Sequence, residues 1–232
     1  MKCYQVADTS FSLSTVYEYS HKLLRGYETD RAPEVHISTD QTDLAREYLK
    51  MEEYMPGPYV ESLAVYRKLC DHLLGKHILL FHGSAIAVDG RAYIFAAPSG
   101  TGKSTHARLW RELLGPRAVM INDDKPLIDV DRLLVYGTPW DGKHHLSANI
   151  CAPLSGIALL SRSARNHIEP LDPLPALPVL LQQAYRSEQV DRILPLVERL
   201  ADSVPVYRLQ CNMEPEAARI SWRTMHGGTD HL

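Results

Sequence analysis

The sequence lacks the features that mark several common classes of protein. It has no apolar run of about 18 or more residues, so it predicts no membrane-spanning helix. Its first residues lack the apolar core of a secretory signal, and we therefore expect a cytoplasmic protein. It contains no CxxC pair, which argues against a zinc site. Its four scattered cysteines fit a reducing compartment: Cys3, Cys70, Cys151 and Cys211.

Positive and negative charges are close to balanced. The 25 Lys and Arg residues and the 28 Asp and Glu residues leave a formal net charge of −3. Such a chain has no overall field that would attract nucleic acid or an anionic membrane, and we expect neither as a partner. With 232 residues, of which 45% are hydrophobic, the chain can bury one good-sized core, or one core and a small appendage.

The order of helical and strand patterns predicts three regions without repeats. Residues 1–60 form a small α+β region packed on or beside the core, residues 61–225 form the main domain, and residues 226–232 form a frayed tail. Apolar spacing predicts helices over 43–51, 59–74, 174–185 and 190–201, and strands over 34–38, 118–124, 133–136, 157–160 and 204–209.

A glycine-rich loop is the most informative motif. Residues 97–104 read Ala-Pro-Ser-Gly-Thr-Gly-Lys-Ser and lie between a predicted strand over 91–96 and a predicted helix over 105–114. Such a loop wraps a phosphate, because its glycines let backbone N–H groups point inward at the positive end of the helix. Lys103 can reach the outer phosphates of a nucleoside triphosphate, and the Ser104 hydroxyl suits a Mg²⁺ ligand.

The alternative is a Gly/Ser turn that only resembles such a loop. Ala97 replaces the first glycine of the usual pattern, but the order of strand, loop and helix favours nucleotide binding. The residues expected to contact the nucleotide are Pro98, Ser99, Gly100, Thr101, Gly102, Lys103, Ser104 and Thr105.

The strands before this loop predict the type of sheet. Apolar runs over 77–81, 84–88 and 92–96 are closely spaced, and Asp89-Gly90 is a strong signal for a two-residue hairpin. Antiparallel strands can be joined this tightly, whereas parallel strands need a crossover of about a dozen or more residues. We therefore predict an α/β fold with a mixed, largely antiparallel central sheet flanked by helices.

Two adjacent acids end the apolar strand predicted over 118–124. Successive side chains of a strand point to opposite faces, so Asp123 and Asp124 can serve two positions. Phosphoryl transfer needs one carboxylate on Mg²⁺ and one that orients or deprotonates the attacking hydroxyl. The alternative is a solvated turn, because Asn-Asp-Asp before Lys-Pro is also turn chemistry. The position of the pair, about twenty residues beyond the glycine-rich loop, favours the functional interpretation.

The turn-rich segment over 136–145 and the end of a later strand offer further contacts. Trp140 and Lys143 could stack on a base or clamp a phosphate, or Trp140 could be the buried anchor of a solvent loop. Arg162 is a candidate phosphate contact, with a surface arginine as the alternative. His144 and His145 diverge in direction and have no third ligand spaced to join them, so we interpret them as loop residues.

These motifs together resemble the catalytic core of the HPr kinase/phosphorylase family. The resemblance rests on His82-Gly83, on residues 99–104 and on Asn122-Asp123-Asp124; it covers about residues 76–160 and, more weakly, 205–209. That family phosphorylates a protein serine and has the phosphoenolpyruvate carboxykinase-like P-loop fold. Small stand-alone relatives modify precursor peptides in maturation systems such as lasso-peptide biosynthesis.

The resemblance implies a role for each matching residue. His82 would lie near the transferred phosphate, Asp123 would be the catalytic carboxylate, and Ser104 and Asp124 would help to hold Mg²⁺. Thr105 stands where the family usually has an acid, so a metal role does not carry over to it. A lone histidine on an apolar strand can also be a core residue, but the family pattern and the small neighbour Gly83 favour the functional role.

The sequence therefore predicts a kinase that uses Mg²⁺ and ATP, or another nucleoside triphosphate, and acts on a serine or threonine hydroxyl of a peptide or protein. Two alternatives stay open: a small-molecule kinase, and a non-catalytic nucleotide-binding module of a biosynthetic pathway. The second acid favours catalysis, because a pure binder needs only the metal ligand. The identity of the acceptor and the formation of a homo-oligomer also stay open.

Overall fold

The computed structural model describes residues 2–51, 53–142, 144–184 and 190–227. The chain divides into two compact units, Met1–Ile78 and Leu79–Leu232. The sequence pattern placed the division near residue 60, which would assign the helix over 59–74 to the second unit. The two divisions therefore differ in that helix, which the structure includes in the first unit.

The first unit combines a small sheet with helices. Its elements in chain order are β1 (Cys3–Val6), β2 (Thr9–Ser14), α1 (Tyr19–Leu23), β3 (Val35–Ser38), α2 (Gln41–Tyr48) and α3 (Gly57–Leu74). Strands β1 and β2 are antiparallel, and β3 pairs in parallel with β2. The β1–β2 turn consists of Ala7 and Asp8, whose φ angles of 48° and 57° match a two-residue hairpin.

The second unit contains the glycine-rich loop and the pair of acids. Its elements in chain order are β4 (Ile78–Leu80), β5 (Ser84–Val88), β6 (Arg91–Ala96), α4 (Lys103–Leu114), β7 (Ala118–Asn122), β8 (Leu127–Asp129), β9 (Leu134–Tyr136), β10 (Cys151–Arg162), β11 (His167–Leu171), α5 (Pro173–Gln183), α6 (Val190–Ser203), β12 (Val206–Cys211) and α7 (Pro215–His226).

The nine strands of this second group form one mixed sheet. Its order is β4-β8-β9-β10-β6-β5-β7, with β12 also beside β10 and β11 beside β12. The pairs β5–β6, β5–β7, β8–β9, β9–β10 and β11–β12 are antiparallel, whereas β10 is parallel to both β6 and β12. The predicted mixed, largely antiparallel sheet is confirmed. The predicted hairpin is also present, with φ angles of 49° at Asp89 and 78° at Gly90.

Strand directions bring four carboxyl ends to one edge of this sheet. Strand β5 is antiparallel to both β6 and β7, so β7 runs parallel to β6, as β10 does; β12 in turn is parallel to β10. The ends of these four strands are Ala96, Asn122, Arg162 and Cys211. Because β5 runs the other way, its first residue, Ser84, lies at the same edge. Ligands of open α/β sheets bind at such an edge.

An aromatic cluster fixes helix α4 behind the glycine-rich loop. Tyr93 and Phe95 of β6 contact Trp110 of α4, with ring centroids 5.2 and 5.0 Å apart, and Trp110 meets Trp222 of α7 edge to face. The Trp110 indole N–H donates to the Ser221 hydroxyl at 2.8 Å, so the one polar group of this buried ring is satisfied. The start of α4, and with it the loop, is therefore held by a rigid core.

Several predicted boundaries shift by a few residues. The helix predicted over 105–114 begins at Lys103, and the helix predicted over 43–51 is Gln41–Tyr48. The helix predicted to reach Tyr185 ends at Gln183, while Tyr185 lies outside the described residues. Helix α7 continues to His226, the first residue of the segment predicted to be a frayed tail; residues 228–232 lie outside the described part of the chain.

None of the helices in the described part of the chain combines the length and the apolar character that crossing a bilayer requires.

Candidate functional site

The glycine-rich loop leaves β6 and enters α4 with the backbone conformations that only glycine adopts readily. Gly100 and Gly102 have φ angles of 75° and 125°, and no atom lies within 4 Å of a Cβ built on either. Conformation, and not lack of space, therefore requires glycine here. Since α4 begins at Lys103, the unpaired N–H groups of its first turn lie at the end of the loop, and Ser104 is exposed there.

The Lys103 side chain is folded back on its own loop. Its ammonium donates to the carbonyl oxygens of Ala97 at 2.9 Å and Pro98 at 3.5 Å, and the residue is 7% exposed. Burial lowers the pKa of Lys103, while the negative charges of Asp124 and Asp123 act in the opposite direction. The charges of both predicted acids therefore act on this cation, although its described hydrogen bonds go to the loop.

The two adjacent acids have different partners. Asp123 is 6% exposed and accepts a hydrogen bond from the Ser84 hydroxyl at 2.9 Å. Asp124 Oδ1 lies 3.4 Å from His82 Nε2, and its other oxygen pairs with the Lys125 ammonium. Burial would raise the pKa of Asp124, but the hydrogen bond from His82 and the charge of Lys125 outweigh burial and hold that pKa well below its usual range. The roles assigned to the two acids stay predictions.

His82 lies in the connection between β4 and β5, beside the acids. Its side chain is 38% exposed, so it is not a fully buried core residue. With its amide nitrogen turned towards His82, the Gln183 side chain donates to His82 Nδ1 at 3.3 Å and to the Ala97 carbonyl at 3.1 Å. A ring that accepts at Nδ1 carries its proton on Nε2, the atom that faces Asp124.

The glycine next to His82 is required by its neighbours in the sheet. A Cβ on Gly83 would lie 2.9 Å from a methyl group of Ile94 and 3.0 Å from the Phe95 carbonyl oxygen. Its N–H donates to the Asp124 carbonyl at 3.2 Å. Gly83 therefore keeps the chain that carries His82 close to β6 and to the acids.

Asn122, the last residue of β7, organises the segment that carries the acids. It is fully buried, and its side-chain oxygen accepts from the N–H groups of Asp124 at 2.8 Å and Lys125 at 2.6 Å. Its amide nitrogen donates to the carbonyl oxygens of Thr138 at 3.0 Å and Trp140 at 3.3 Å. The acid turn and the turn-rich segment after β9 are thus joined through one side chain.

We expect Asn122→Ala to destabilise the second unit by about 1–3 kcal/mol, since the buried groups that it pairs would lose their partner. Calorimetric unfolding of the variant checks this value. The exposed Gln182 of α5, in the same unit, provides a control as Gln182→Ala. Equal unfolding free energies for the two variants would contradict the organising role of Asn122.

The segment between β9 and β10 returns to the acids. A Cβ on Gly137 would lie 1.9 Å from the Ala148 carbonyl oxygen, so the two arms of the segment touch at backbone level. A Cβ on Gly142 would lie 3.1 Å from Asp123 Oδ2. Trp140 is 4% exposed, which favours its interpretation as a buried anchor over one as a stacking platform. The predicted contact Lys143 lies outside the described residues.

Arg162 reaches the glycine-rich loop from the end of β10. Its guanidinium donates to the carbonyl oxygens of Gly100 and Thr101, the latter at 3.3 Å. The structure thus brings it to the loop predicted to hold phosphates, and its role in phosphate contact stays a prediction.

Metal-binding capacity was also predicted for Ser104 and Asp124. In the described part of the chain, no group of three or more His, Cys, Asp and Glu side chains is arranged to hold a metal ion. His145 pairs instead with Asp141 at 2.9 Å. A nucleotide-bound Mg²⁺ needs no such group, since it is usually held by one or two protein ligands together with phosphate oxygens and water.

The loop and the acids are evident from the sequence, whereas the supporting roles of Asn122, Ser84 and Gln183 are seen only in the structure. Asn122 carried a local signal, because Asn commonly bonds to the N–H groups that follow it in a turn. Ser84 and Gln183 carried no local signal; their positions depend on which strands and segments are neighbours in the fold.

Comparison with known proteins gives little further support. No protein-family model matches the chain, and no curated protein sequence matches it. Among solved structures, it is similar to the Hpr(Ser) kinase/phosphatase from Coxiella burnetii, with 11% sequence identity over 64% of this chain and 93% of that one, and with a TM-score of 0.31. A similarity at this level supports no conclusion about activity.

Proposed function

We propose that the chain is a kinase that uses Mg²⁺ and ATP to phosphorylate a serine or threonine hydroxyl of a peptide or protein. The observation that carries the proposal is that the loop ending in Lys103 and the segment with Asp123 and Asp124 follow neighbouring carboxyl ends at one edge of the sheet, where both carboxylate charges act on the pKa of Lys103. A nucleotide-binding module needs the loop and one metal ligand. A kinase also needs a carboxylate for its acceptor, and the second acid meets that need.

The residues of the loop fit the phosphates of a nucleotide. The described hydrogen bonds of the Lys103 ammonium go to uncharged carbonyl oxygens, so a phosphate oxygen would give this cation a charged partner. The N–H groups of the first turn of α4 add donors beside it. Bound Mg-ATP would supply the phosphoryl group and a divalent charge.

The remaining residues have separate roles in phosphoryl transfer. Asp124 keeps its negative charge because its pKa is held low, and together with the exposed Ser104 hydroxyl it would provide oxygen ligands for Mg²⁺. His82 orients Asp124 through Nε2. Asp123, held at Oδ1 by Ser84, accepts the proton of the acceptor hydroxyl at Oδ2. The sequence resemblance to HPr kinase/phosphorylase supports a serine or threonine acceptor.

A transfer assay tests the proposal. Purified protein is incubated with Mg²⁺ and γ-labelled ATP, together with serine- and threonine-containing peptides, including those encoded by neighbouring genes, and with small hydroxyl compounds in parallel. We expect label on a serine or threonine of a peptide, and labelling that is slower by about a hundredfold or more with the matched variant Asp123→Asn. Label on a small hydroxyl compound alone would identify a small-molecule kinase instead. Tight ATP binding without transfer to any acceptor would leave the nucleotide-binding module as the function.

A further inference from the structure

An open cavity lies beside the glycine-rich loop. Its volume is about 600 Å³, within the range of about 300–1,000 Å³ that is typical of small-molecule sites. Three segments line it: residues 100–102 of the loop, residues 162–164 after β10 and residues 211–213 after β12. Thr105 and His106, on the first turns of α4, complete the lining.

The cavity and the acids lie on opposite sides of the loop. In the sheet, β10 and β12 are on one side of β6, and β5 and β7 are on the other. The cavity is built on the carboxyl ends of β10 and β12, whereas Asp123 and Asp124 follow β7. Neither acid lines the cavity. A ligand that extended from the cavity to the acids would therefore cross the glycine-rich loop.

Hydrogen bonds hold the walls of the cavity together. Arg162 ties the segment after β10 to the loop through the carbonyl oxygens of Gly100 and Thr101. The Ser163 N–H donates to the Cys211 carbonyl at 3.0 Å, and the Asn212 amide donates to the Ala164 carbonyl at 3.3 Å. The cavity is thus preformed, which reduces the ordering cost of binding a ligand.

Most of the lining is uncharged, which suits a largely apolar group that also carries polar atoms. Ala164, Cys211 and Met213 contribute apolar surface, and the charged Arg162 side chain lies at the side of the cavity next to the loop, where it donates to loop carbonyl oxygens. His106 is 2% exposed, and burial lowers its pKa to about 4, so it is neutral near pH 7. Its Nδ1 atom has no hydrogen-bond partner among the described residues, so one polar group of the lining is unsatisfied.

We propose that this cavity holds the base and ribose of a nucleoside triphosphate whose phosphates lie on the glycine-rich loop. The proposal rests on the proposed function, and it adds the part of the chain that recognises the nucleoside. The triphosphate then runs across residues 100–104 towards Asp123 and Asp124. Its terminal phosphate lies near the two acids, and the base lies away from them.

A cavity-filling substitution distinguishes binding of the nucleoside from binding of the phosphates. Ala164 is exposed and lines the cavity, so Ala164→Trp fills it without disturbing the core. We measure the binding of Mg-ATP and of Mg-tripolyphosphate by calorimetry. We expect Ala164→Trp to weaken ATP binding by about tenfold or more, the scale of one lost base contact, and to leave tripolyphosphate binding unchanged. Ala32→Trp, at an exposed alanine of the first unit, is the matched control.

Thiol protection in the unaltered protein gives a second test that does not depend on a variant. Cys211 lines the cavity and is partly buried, whereas Cys151 is exposed at the start of β10, away from the cavity. We expect Mg-ATP, but not Mg-tripolyphosphate, to slow alkylation of Cys211, as followed by peptide mass spectrometry. Alkylation of Cys151 should be the same in all three conditions.

The possible failures are distinguishable. Equal affinity of the wild-type protein for ATP and tripolyphosphate, unchanged ATP binding by Ala164→Trp, or no protection of Cys211 would overturn the assignment of the cavity. Lack of any tripolyphosphate binding would instead remove the phosphate site on which the proposed function rests.

Discussion

Lys103→Ala is expected to weaken the binding of Mg-ATP by about 30-fold or more, the scale of about 2–5 kcal/mol for removing one partner of a desolvated charge pair. Lys103 is 7% exposed, and its ammonium donates to the Ala97 and Pro98 carbonyl oxygens of the glycine-rich loop. Its loss therefore removes a cation from the position where phosphate charge would collect.

The same substitution should change stability little. Burial disfavours the charged form of Lys103, as the direction of its pKa shift indicates, so removing the ammonium relieves a desolvation cost while the Ala97 and Pro98 carbonyls lose a donor. Titration calorimetry gives the affinity, and thermal unfolding gives the stability. Lys22→Ala, at an exposed lysine of α1, is the control. Unchanged affinity in a folded Lys103→Ala protein would remove the nucleotide-loop interpretation.

Local chemistry explains what the sequence could predict. The Asp89-Gly90 turn, the strand before the glycine-rich loop and the helix after it depend on residues within a few positions of each other, and all three are confirmed. Helix α7 was missed although its signals are also local: Pro215 at its first position and Gly227 after its end, in the left-handed conformation. Among its apolar residues, Trp222 is buried in the core.

The arrangement of the site could not be predicted in the same way, because it depends on strand pairing across long stretches of sequence. The hydroxyl of Ser84 meets Asp123, 39 positions later, only because β5 and β7 are neighbours. The parallel pairing of β10 with β6, which brings Arg162 to the glycine-rich loop, has no signal in either strand alone. Tertiary packing sets such registers, so the sequence predicted the functional groups but not their supports.

Removing the charge of Asp123 is expected to lower turnover, whereas removing the charge of Asp124 is expected to weaken Mg-ATP binding. Asp123→Asn should lower turnover by about 10²–10⁴-fold, the usual contribution of a general base, and should largely spare ATP affinity. Asparagine has the same shape, so its amide oxygen still accepts from the Ser84 hydroxyl and the fold is retained. What is lost is the ability to take a proton from the acceptor.

Asp124→Asn should instead weaken Mg-ATP binding and raise the Mg²⁺ concentration needed for half-maximal turnover. The low pKa of Asp124 means that its neighbours His82 and Lys125 stabilise the negative charge. A neutral amide there removes the charge that pairs with the Lys125 ammonium and gives the metal no charged ligand at this position. Calorimetry with and without Mg²⁺, combined with steady-state kinetics over a range of Mg²⁺ concentrations, separates the two variants.

Asp202→Asn, at an exposed acid of α6, controls for the loss of one negative charge. If both Asp123→Asn and Asp124→Asn keep near wild-type turnover on a substrate that the transfer assay has identified, the kinase proposal fails. If each variant instead lowers turnover and also raises the Mg²⁺ concentration needed for half-maximal turnover, the division of roles between the two acids is wrong. The pair then acts as a single metal site. Loss of turnover in Asp123→Asn alone, with a raised Mg²⁺ requirement in Asp124→Asn alone, would show that the two acids differ in function as they differ in their partners. Those partners are Ser84 for Asp123, and His82 with Lys125 for Asp124.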